Sequence, residues 1–242
     1  MQINKGVKIS SGAWSPEDIT TALWYDASDS DTITASGGSV SQLDDKSGNL
    51  NHATQGVAGN QPTTGVKTIG GLNTINFDND FLVFNDLTLA ETMVAIVYNP
   101  LAAVSQFMIA SDGFGGAKSR FYIMEDGADF GNSEVNITDP TNDDTLTVST
   151  VDGVGDGVNQ AIYKNGTLGG SGTTDRSSVA TNFELGGRLA SLAEFDFCEV
   201  VIVYNDTTQS TRQKLEGYLA HKWSLTDELP ADHPYKSNAP TA

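Results

Sequence analysis

The stretch RQKLEGYLAHKWSLTDELPADHPY, residues 212–235, has a helical pattern in a chain that otherwise looks built of strands. Thr207 or Thr208 precedes it, and a threonine hydroxyl can cap the first free backbone N–H groups of a helix. Pro230 and Pro234 prevent the helix from continuing. One stripe has helical spacing and is predicted to pack on the rest of the protein. Its members are Leu215, Tyr218, Leu219, Lys222 and Trp223.

The rest of the chain shows the pattern of short strands. Apolar runs rich in β-branched and aromatic residues recur between Gly, Asn and Asp turn signals. The runs MVAIVY at 93–98 and VVIVY at 200–204 are apolar on both alternating faces, which predicts central strands covered on both sides. Asn165-Gly166 predicts a tight hairpin, because both turn positions need φ > 0. Together these signals favour an all-β sandwich or jelly roll with one short C-terminal helix.

The length of 242 residues suits a single β-sandwich domain. The strand pattern begins only after residue 16. We therefore predict an N-terminal arm at residues 1–16 and one sandwich domain at residues 17–242, which includes the helix and the tail.

The chain is strongly acidic, with 31 Asp and Glu against 13 Lys and Arg and a formal charge of −18. Such a field repels nucleic acid and anionic membrane surfaces, so we expect neither as a partner. Cys198 is the only cysteine, which excludes an intramolecular disulfide. The N-terminus lacks the apolar stretch of a Sec signal peptide, and no apolar run is long enough to span a bilayer. We expect a protein that is made in a cytoplasm and is not exported by the usual route.

Several blocks resemble, in the same order, a laminin-G-like domain of the concanavalin A-like lectin/glucanase group, in the version common in marine bacterial and bacteriophage proteins. The specific blocks are DKSGNLNHATQ at 45–55 and EGYLAHKWSLTDELPADHPY at 216–235. The resemblance implies a concanavalin A-like β-sandwich whose closing helix packs against the sandwich and whose tail holds it there. Leu43 stands where that family usually has Trp, and the DNDF turn at 78–81 is shorter than usual.

The resemblance also implies a hypothesis for function. Domains of this kind usually act outside the cell, and bacteriophage structural proteins reach the outside by lysis without a signal peptide. We therefore expect a non-catalytic virion surface protein, either a head-decoration or cement protein or a tail or baseplate component. Its expected partners are other virion proteins, further copies of itself and cell-surface polysaccharide. A free-standing carbohydrate-binding module is the alternative.

A less favoured alternative is catalysis. Glu194, Asp196 and Glu199 form an E-x-D-x-x-E pattern that resembles the catalytic strand of family-16 glycoside hydrolases. The two glutamates would serve as nucleophile and acid/base at roughly 5–5.5 Å, with Asp196 tuning their ionisation. A β-bulge is required to bring both glutamates to one face of a strand. The same residues also fit an ordinary late strand of the sandwich, and we expect no enzyme.

The remaining candidate sites are a glycan contact and a calcium ion. Phe114, Phe130 and Asn132 are the predicted glycan-binding residues, because isolated aromatics amid Gly and Asp on rim loops can stack on sugars. No cofactor is expected apart from a single Ca²⁺, for which acidic turns offer oxygen ligands. Most of these turns are equally explained by Asp and Asn bonding their own backbone. The acidic residues are Asp26, Asp29, Asp31, Asp78, Asp80, Asp139, Asp143, Asp144, Asp152 and Asp156.

Overall fold

A computed structural model describes residues 12–88, 90–101, 106–111, 121–124, 127–130, 134–136, 145–153, 155–176, 179–188 and 191–242. These residues form twenty-one strands and one α-helix. The first ten strands are β1 Thr21–Asp26, β2 Ile33–Ser36, β3 Ser39–Leu43, β4 Ala53–Thr54, β5 Thr63–Ile69, β6 Leu72–Asp78, β7 Leu82–Phe84, β8 Leu87–Thr88, β9 Thr92–Pro100 and β10 Phe107–Ser111.

The remaining strands lie in the second half of the chain and are followed by the helix. They are β11 Phe121–Met124, β12 Gly127–Phe130, β13 Glu134–Asn136, β14 Thr145–Val151, β15 Gly155–Lys164, β16 Thr167–Arg176, β17 Val179–Ala180, β18 Phe183–Leu185, β19 Gly187–Arg188, β20 Ser191–Leu192 and β21 Glu194–Tyr204, with helix α1 at Gln209–Lys222.

The strands form an antiparallel sheet that curls into two layers. In the first layer β21 pairs with β9 on one side and with β1 and β6 on the other, and the sheet continues from β9 through β14 and β15 to β16. In the second layer β12, β11, β10, β18, β7 and β4 are neighbours in that order. The predicted all-β sandwich with a C-terminal helix is confirmed.

The inner core lies between these two layers. Phe77 stacks on Phe195 at 4.9 Å between ring centroids, and Phe84 stacks on Phe183 at the same distance. Leu43 is fully buried in this core. Burial of this apolar surface is the main force that holds the layers together.

The two central strands of the first layer are covered on both faces. Val94 and Val200 point into the inner core, while Ala95 and Val201 point to the outer face, where a second apolar cluster lies. A strand buried on both faces has no polar positions to alternate, and this explains the continuous apolar runs. The prediction of central strands is confirmed.

The Asn165-Gly166 turn joins β15 to β16 as predicted. Both residues have positive φ, 49° and 79°, which is the backbone that a tight hairpin requires. The Asn165 side chain also accepts a hydrogen bond from Leu146 N at 2.9 Å. The turn is thereby fixed to β14.

Helix α1 covers the outer face of the first layer. Thr208 caps it by accepting from Thr211 N at 3.3 Å. Leu215, Leu219 and Trp223 are buried in the outer cluster, so the predicted stripe does pack on the sandwich.

The tail after α1 is tied to the helix. A Cβ on Gly217 would lie 2.4 Å from the Cβ of Tyr235, so the glycine makes room for the returning chain. His221 Nε2 lies 2.8 Å from Tyr235 O, and Lys236 Nζ donates to the carbonyls of Thr226, Asp227 and Leu229. The Gly217 and His221 contacts hold the tail on the helix, as the resemblance implies, while Lys236 holds the tail's own turn together.

The described part of the N-terminal arm contacts the same face. Trp14 is buried in the outer cluster, and Ala13 forms a bridge with Thr241. Residues 1–11 lie outside the described residues, so the arm as a unit remains a prediction. Among the described residues, no helix combines the length and the apolar character needed to cross a bilayer.

Candidate functional site

The E-x-D-x-x-E segment contains the β-bulge that its hydrolase-like interpretation requires. The pairing of β21 with β9 shifts register between Phe197 and Glu199. Phe195 and Phe197 point into the inner core before the bulge. Glu194 and Asp196 therefore face outward, and the bulge turns Glu199 to the same outer face.

Glu199 is the centre of a buried polar cluster beneath α1. Its side chain is fully buried, and its carboxylate accepts four hydrogen bonds. The donors are Trp24 Nε1 at 2.8 Å, Tyr218 OH at 3.2 Å, Lys222 Nζ at 2.6 Å and Trp223 Nε1 at 2.9 Å. Burial raises the pKa of Glu199, while the Lys222 ammonium acts in the opposite direction. The cluster joins the helix to β1 and β21 through one carboxylate.

Two lysines extend this cluster to the loop after β1. Lys222 Nζ lies 2.7 Å from Asp26, and Lys46 Nζ contacts both Asp26 at 3.1 Å and Asp29 at 2.7 Å. Burial alone would raise the pKa of Asp26, but the Lys222 charge and the hydrogen bonds from Lys222 and Ser28 lower it below its usual value. Asp26 and Asp29, which the sequence offers as calcium ligands, are here paired with ammonium groups.

Asp196 and Glu194 have partners of their own further along the strand. Asp196 is buried and accepts from Asn76 Nδ2 at 2.8 Å, from Asn99 Nδ2 at 3.3 Å and from Lys67 Nζ at 3.2 Å. Glu194 accepts from Asn79 Nδ2 at 3.2 Å. The three acidic residues of the motif thus share a face but bond three different sets of neighbours.

A second buried ionic group lies on the other side of α1. Arg212 Nη1 donates to Glu216 at 2.5 Å, and His233 Nε2 lies 3.0 Å from the other oxygen of Glu216. The Arg212 guanidinium also stacks over the ring of Tyr163, with 3.8 Å between its central carbon and the ring centroid. This stack joins the start of the helix to β15.

The Tyr163–Arg212 stack forms one end of a groove with a volume of about 520 Å³, which we call the α1 groove. Its floor is the outer face of β14, β15 and β16, and the first turn of α1 forms one wall. The lining residues are Thr150, Asp152, Asn159, Gln160, Ala161, Tyr163, Ser171, Gly172, Thr173, Thr207, Gln209 and Arg212.

The α1 groove is lined by small polar side chains around one aromatic ring. Asn159 and Thr173 are exposed and face each other across paired strands. Asn159 Nδ2 lies 3.4 Å from Asp152 Oδ2, which orients the amide. Arg212 is neutralised by Glu216, so its charge is already matched. Such a surface offers hydroxyl, amide and carboxylate partners for a polyhydroxy ligand, with an aromatic edge beside them.

The predicted glycan-binding residues stay a prediction, because the structure does not describe their side chains. Phe114 and Asn132 lie outside the described residues, as do Asp139, Asp143 and Asp144 of the calcium hypothesis. Phe130 ends β12, where its backbone pairs with Phe121, and its side chain is not described.

The sequence carries only a weak signal for the α1 groove. Asn159, Ala161 and Tyr163 alternate along β15 and therefore share a face. The neighbouring strand, TLGGSGTTDR at 167–176, has little side-chain volume to fill the space beside them. That combination could have indicated an open polar surface on a hairpin.

The described residues show no group of three or more His, Cys, Asp or Glu arranged to hold a metal ion. Cys198 is buried in the outer cluster at the bulge. The search for a metal site covers the described residues only.

No family profile matches this sequence, and no curated protein does either. Solved structures do match. One match is domain 4 of AbnA, a GH43 extracellular arabinanase from Geobacillus stearothermophilus, solved in complex with arabinotriose. It has a TM-score of 0.56 and 13% sequence identity, and the alignment covers 86% of this chain and 100% of the arabinanase domain.

Two other matches are parts of longer chains. The W1252A mutant of HCR D/C VPI 5995 has a TM-score of 0.58 and 12% sequence identity. The alignment covers 85% of this chain and 53% of the HCR D/C chain. Trypanosoma rangeli sialidase has a TM-score of 0.52 at 13% identity, with 79% of this chain and 31% of its own covered. The chain thus spans about half the length of the HCR D/C structure and about a third of the length of the sialidase. At such identities the likeness shows the fold alone, a β-sandwich shared with domains of glycan-active proteins.

Proposed function

We propose that this protein is a non-catalytic carbohydrate-binding domain that contacts a neutral glycan in the α1 groove. The observation that carries the proposal is the groove itself, in which the exposed Asn159 and Thr173 side chains line the same cavity as Tyr163. Amides and hydroxyls bond sugar hydroxyl groups, and the edge of the Tyr163 ring, whose face is covered by Arg212, adds apolar contact.

The structural neighbours support the choice of ligand. The arabinanase domain was solved with arabinotriose, and a GH54 arabinofuranosidase of TM-score 0.51 was soaked with a nitrophenyl arabinofuranoside. A shared fold does not imply a shared binding site. The ligand class proposed for this chain therefore depends on the residues that line its own groove.

The test is calorimetric titration of the whole chain with neutral trisaccharides, beginning with arabinotriose. We expect Asn159→Ala and Thr173→Ala each to weaken binding about 3- to 10-fold, because each removes a hydrogen bond to the sugar. Thr34→Ala is the matched control, since Thr34 is also an exposed strand threonine but does not line the groove. Equal affinity in all four proteins would contradict the proposal.

The proposal that the domain is non-catalytic is supported by the surroundings of Glu199. Its carboxylate is fully buried and bonded to four protein donors, whereas a glycosidase acid must reach the glycosidic oxygen. We expect purified protein to release no reducing sugar from laminarin-type glucans, galactans or arabinans. Release that is lost in Glu194→Gln or Glu199→Gln would instead establish the hydrolase alternative.

A narrower proposal places the domain on a bacteriophage particle, among other virion proteins and copies of itself. It is supported by the resemblance to domains common in phage proteins and by the net charge of −18, which keeps a surface protein away from packaged nucleic acid. Mass spectrometry of purified particles tests it. Hundreds of copies would indicate head decoration, a few copies would indicate the tail or baseplate, and absence would leave the free-standing binding module.

A further inference from the structure

A second groove lies at the rim of the sandwich, on the other side of the turn that leads into α1. It consists of two adjoining cavities, of about 320 and 520 Å³, which share Thr20 and Tyr204 as lining residues. We call it the rim groove. Its lining includes Thr20, Asn49, Asn51, Asp86, Thr88 and Tyr204. The Tyr204 ring is half-buried against the inner core, which fixes its position.

One wall of the rim groove is the loop at residues 45–51, which is rigid because it is built around a buried carboxylate. Asp45 accepts hydrogen bonds from Trp24 N at 3.0 Å, Ser47 N at 2.9 Å, Ser47 Oγ at 2.7 Å and Asn51 N at 3.1 Å. Asn49 Nδ2 donates to Thr21 O at 2.9 Å, which ties the tip of the loop to β1. The loop therefore presents its side chains in a fixed arrangement.

Leu50 stands at the tip of this loop in an unfavourable conformation. Its φ is 61°, in the left-handed region that a leucine seldom adopts, and the residue is 68% exposed. Burial of this leucine in the protein does not compensate the strain, as so much of the side chain faces solvent. Strained residues of this kind cluster at binding sites, where their exposed groups are used. The neighbours on both sides, Asn49 and Asn51, line the rim groove.

We propose that the rim groove is a second binding site for a neutral sugar, separate from the α1 groove. The Tyr204 ring supplies apolar surface for the C–H face of a sugar ring, and the exposed Leu50 stands between the lining residues Asn49 and Asn51, where a bound sugar would meet it at the edge of the groove. The amide nitrogens of Asn49 and Asn51 already donate to β1 carbonyls, so the amide oxygens of these two residues face the ligand's hydroxyl groups. The Asp86 carboxylate and the Thr88 hydroxyl supply further partners.

The choice of a sugar as ligand rests on the proposed function. The rim groove can nevertheless bind a sugar whether or not the α1 groove does. Asn205 and Asp206 line the rim groove, and Thr207 and Gln209 line the α1 groove. The two sites therefore border the same short turn. A single polysaccharide chain that occupies both gains affinity by avidity over a trisaccharide that occupies one.

The experiment is an NMR titration of ¹⁵N-labelled protein with arabinotriose, cellotriose and maltotriose, in the natural chain and in Leu50→Gly, Thr88→Ala, Thr173→Ala and Thr34→Ala. We expect amide shifts at Asn49, Asn51 and Thr88 with at least one sugar. Leu50→Gly and Thr88→Ala weaken this response about 3- to 10-fold, whereas Thr173→Ala and Thr34→Ala leave it unchanged. Leu50→Gly also raises the thermal unfolding temperature, because glycine relieves the positive φ.

The outcomes separate this proposal from the proposed function. Shifts confined to α1-groove amides such as Asn159 and Thr173 would overturn the rim site and leave the proposed function standing. Shifts confined to rim amides would support the rim site and remove the α1 groove as the contact. A higher unfolding temperature in Leu50→Gly with unchanged sugar binding would show that the leucine has no role in binding. No shift with any of the sugars would overturn both proposals.

Discussion

Among single residues, Glu199 explains why helix α1 carries Tyr218, Lys222 and Trp223 on the side that faces the sheet. Its carboxylate is bonded by Trp24 from β1 and by Tyr218, Lys222 and Trp223 from α1. Tyr218, Lys222 and Trp223 therefore satisfy one buried acid. They are structural residues, which agrees with the expectation that the closing helix packs on the sandwich.

Glu199→Ala is predicted to destabilise the protein by roughly 3–5 kcal/mol, because it leaves buried donors and the Lys222 ammonium without their acceptor. Glu199→Gln keeps the shape and one acceptor, so a smaller loss is expected. Denaturant unfolding measures both. A Glu199→Ala protein as stable as the natural chain would show that the cluster contributes little to folding.

The pKa of Asp26 makes part of the stability depend on pH. A carboxyl whose pKa is lowered by folding stabilises the protein above the unfolded pKa of about 3.9, and this contribution is lost as the pH falls through the folded pKa. We therefore expect the stability advantage of the natural chain over Asp26→Asn to be full near about pH 6 and to shrink below about pH 4. An advantage that is constant from pH 6 to pH 2.5 would contradict the assigned shift.

At the scale of elements, helix α1 and the tail behave as one unit, joined at Gly217 and Tyr235. Alanine normally favours a helix over glycine by about 1 kcal/mol. Here its Cβ would meet Tyr235 at 2.4 Å, so Gly217→Ala is predicted to destabilise by about 1–3 kcal/mol. Ser210→Ala, at an exposed position of the same helix, is the control and is expected to be neutral or stabilising. Thermal unfolding distinguishes the two, and stabilisation by Gly217→Ala would refute the close packing.

The elements were largely predictable from the sequence because they depend on local patterns. The helix stripe, the double-sided strands β9 and β21 and the Asn165-Gly166 turn each follow from side-chain periodicity or from a required positive φ. The α1 groove depends instead on how the predicted β15–β16 hairpin lies against the helix. Asn159 and Thr173 are ordinary polar strand residues until the hairpin packs beside the first turn of α1, where Tyr163 meets Arg212. Packing of this kind between distant elements is a tertiary effect that periodicity does not encode.

For the whole molecule, the charge of −18 makes stability depend on salt, whereas the binding of a neutral sugar is expected to depend on it little. Self-repulsion destabilises a highly charged chain and salt screens it, so the unfolding temperature is expected to rise as NaCl increases from about 20 to about 200 mM. Binding of a neutral sugar has no such charge to screen. Its Kd is predicted to change less than about 2-fold over the same range. A steep loss of affinity with salt would indicate an ionic ligand.

A crystal structure of the protein with a bound neutral oligosaccharide would show whether the α1 groove holds a glycan. We expect ordered sugar on the outer face of β15 and β16, in contact with Asn159 and Thr173. A sugar ordered elsewhere on the molecule, with the α1 groove filled only by water, would contradict it.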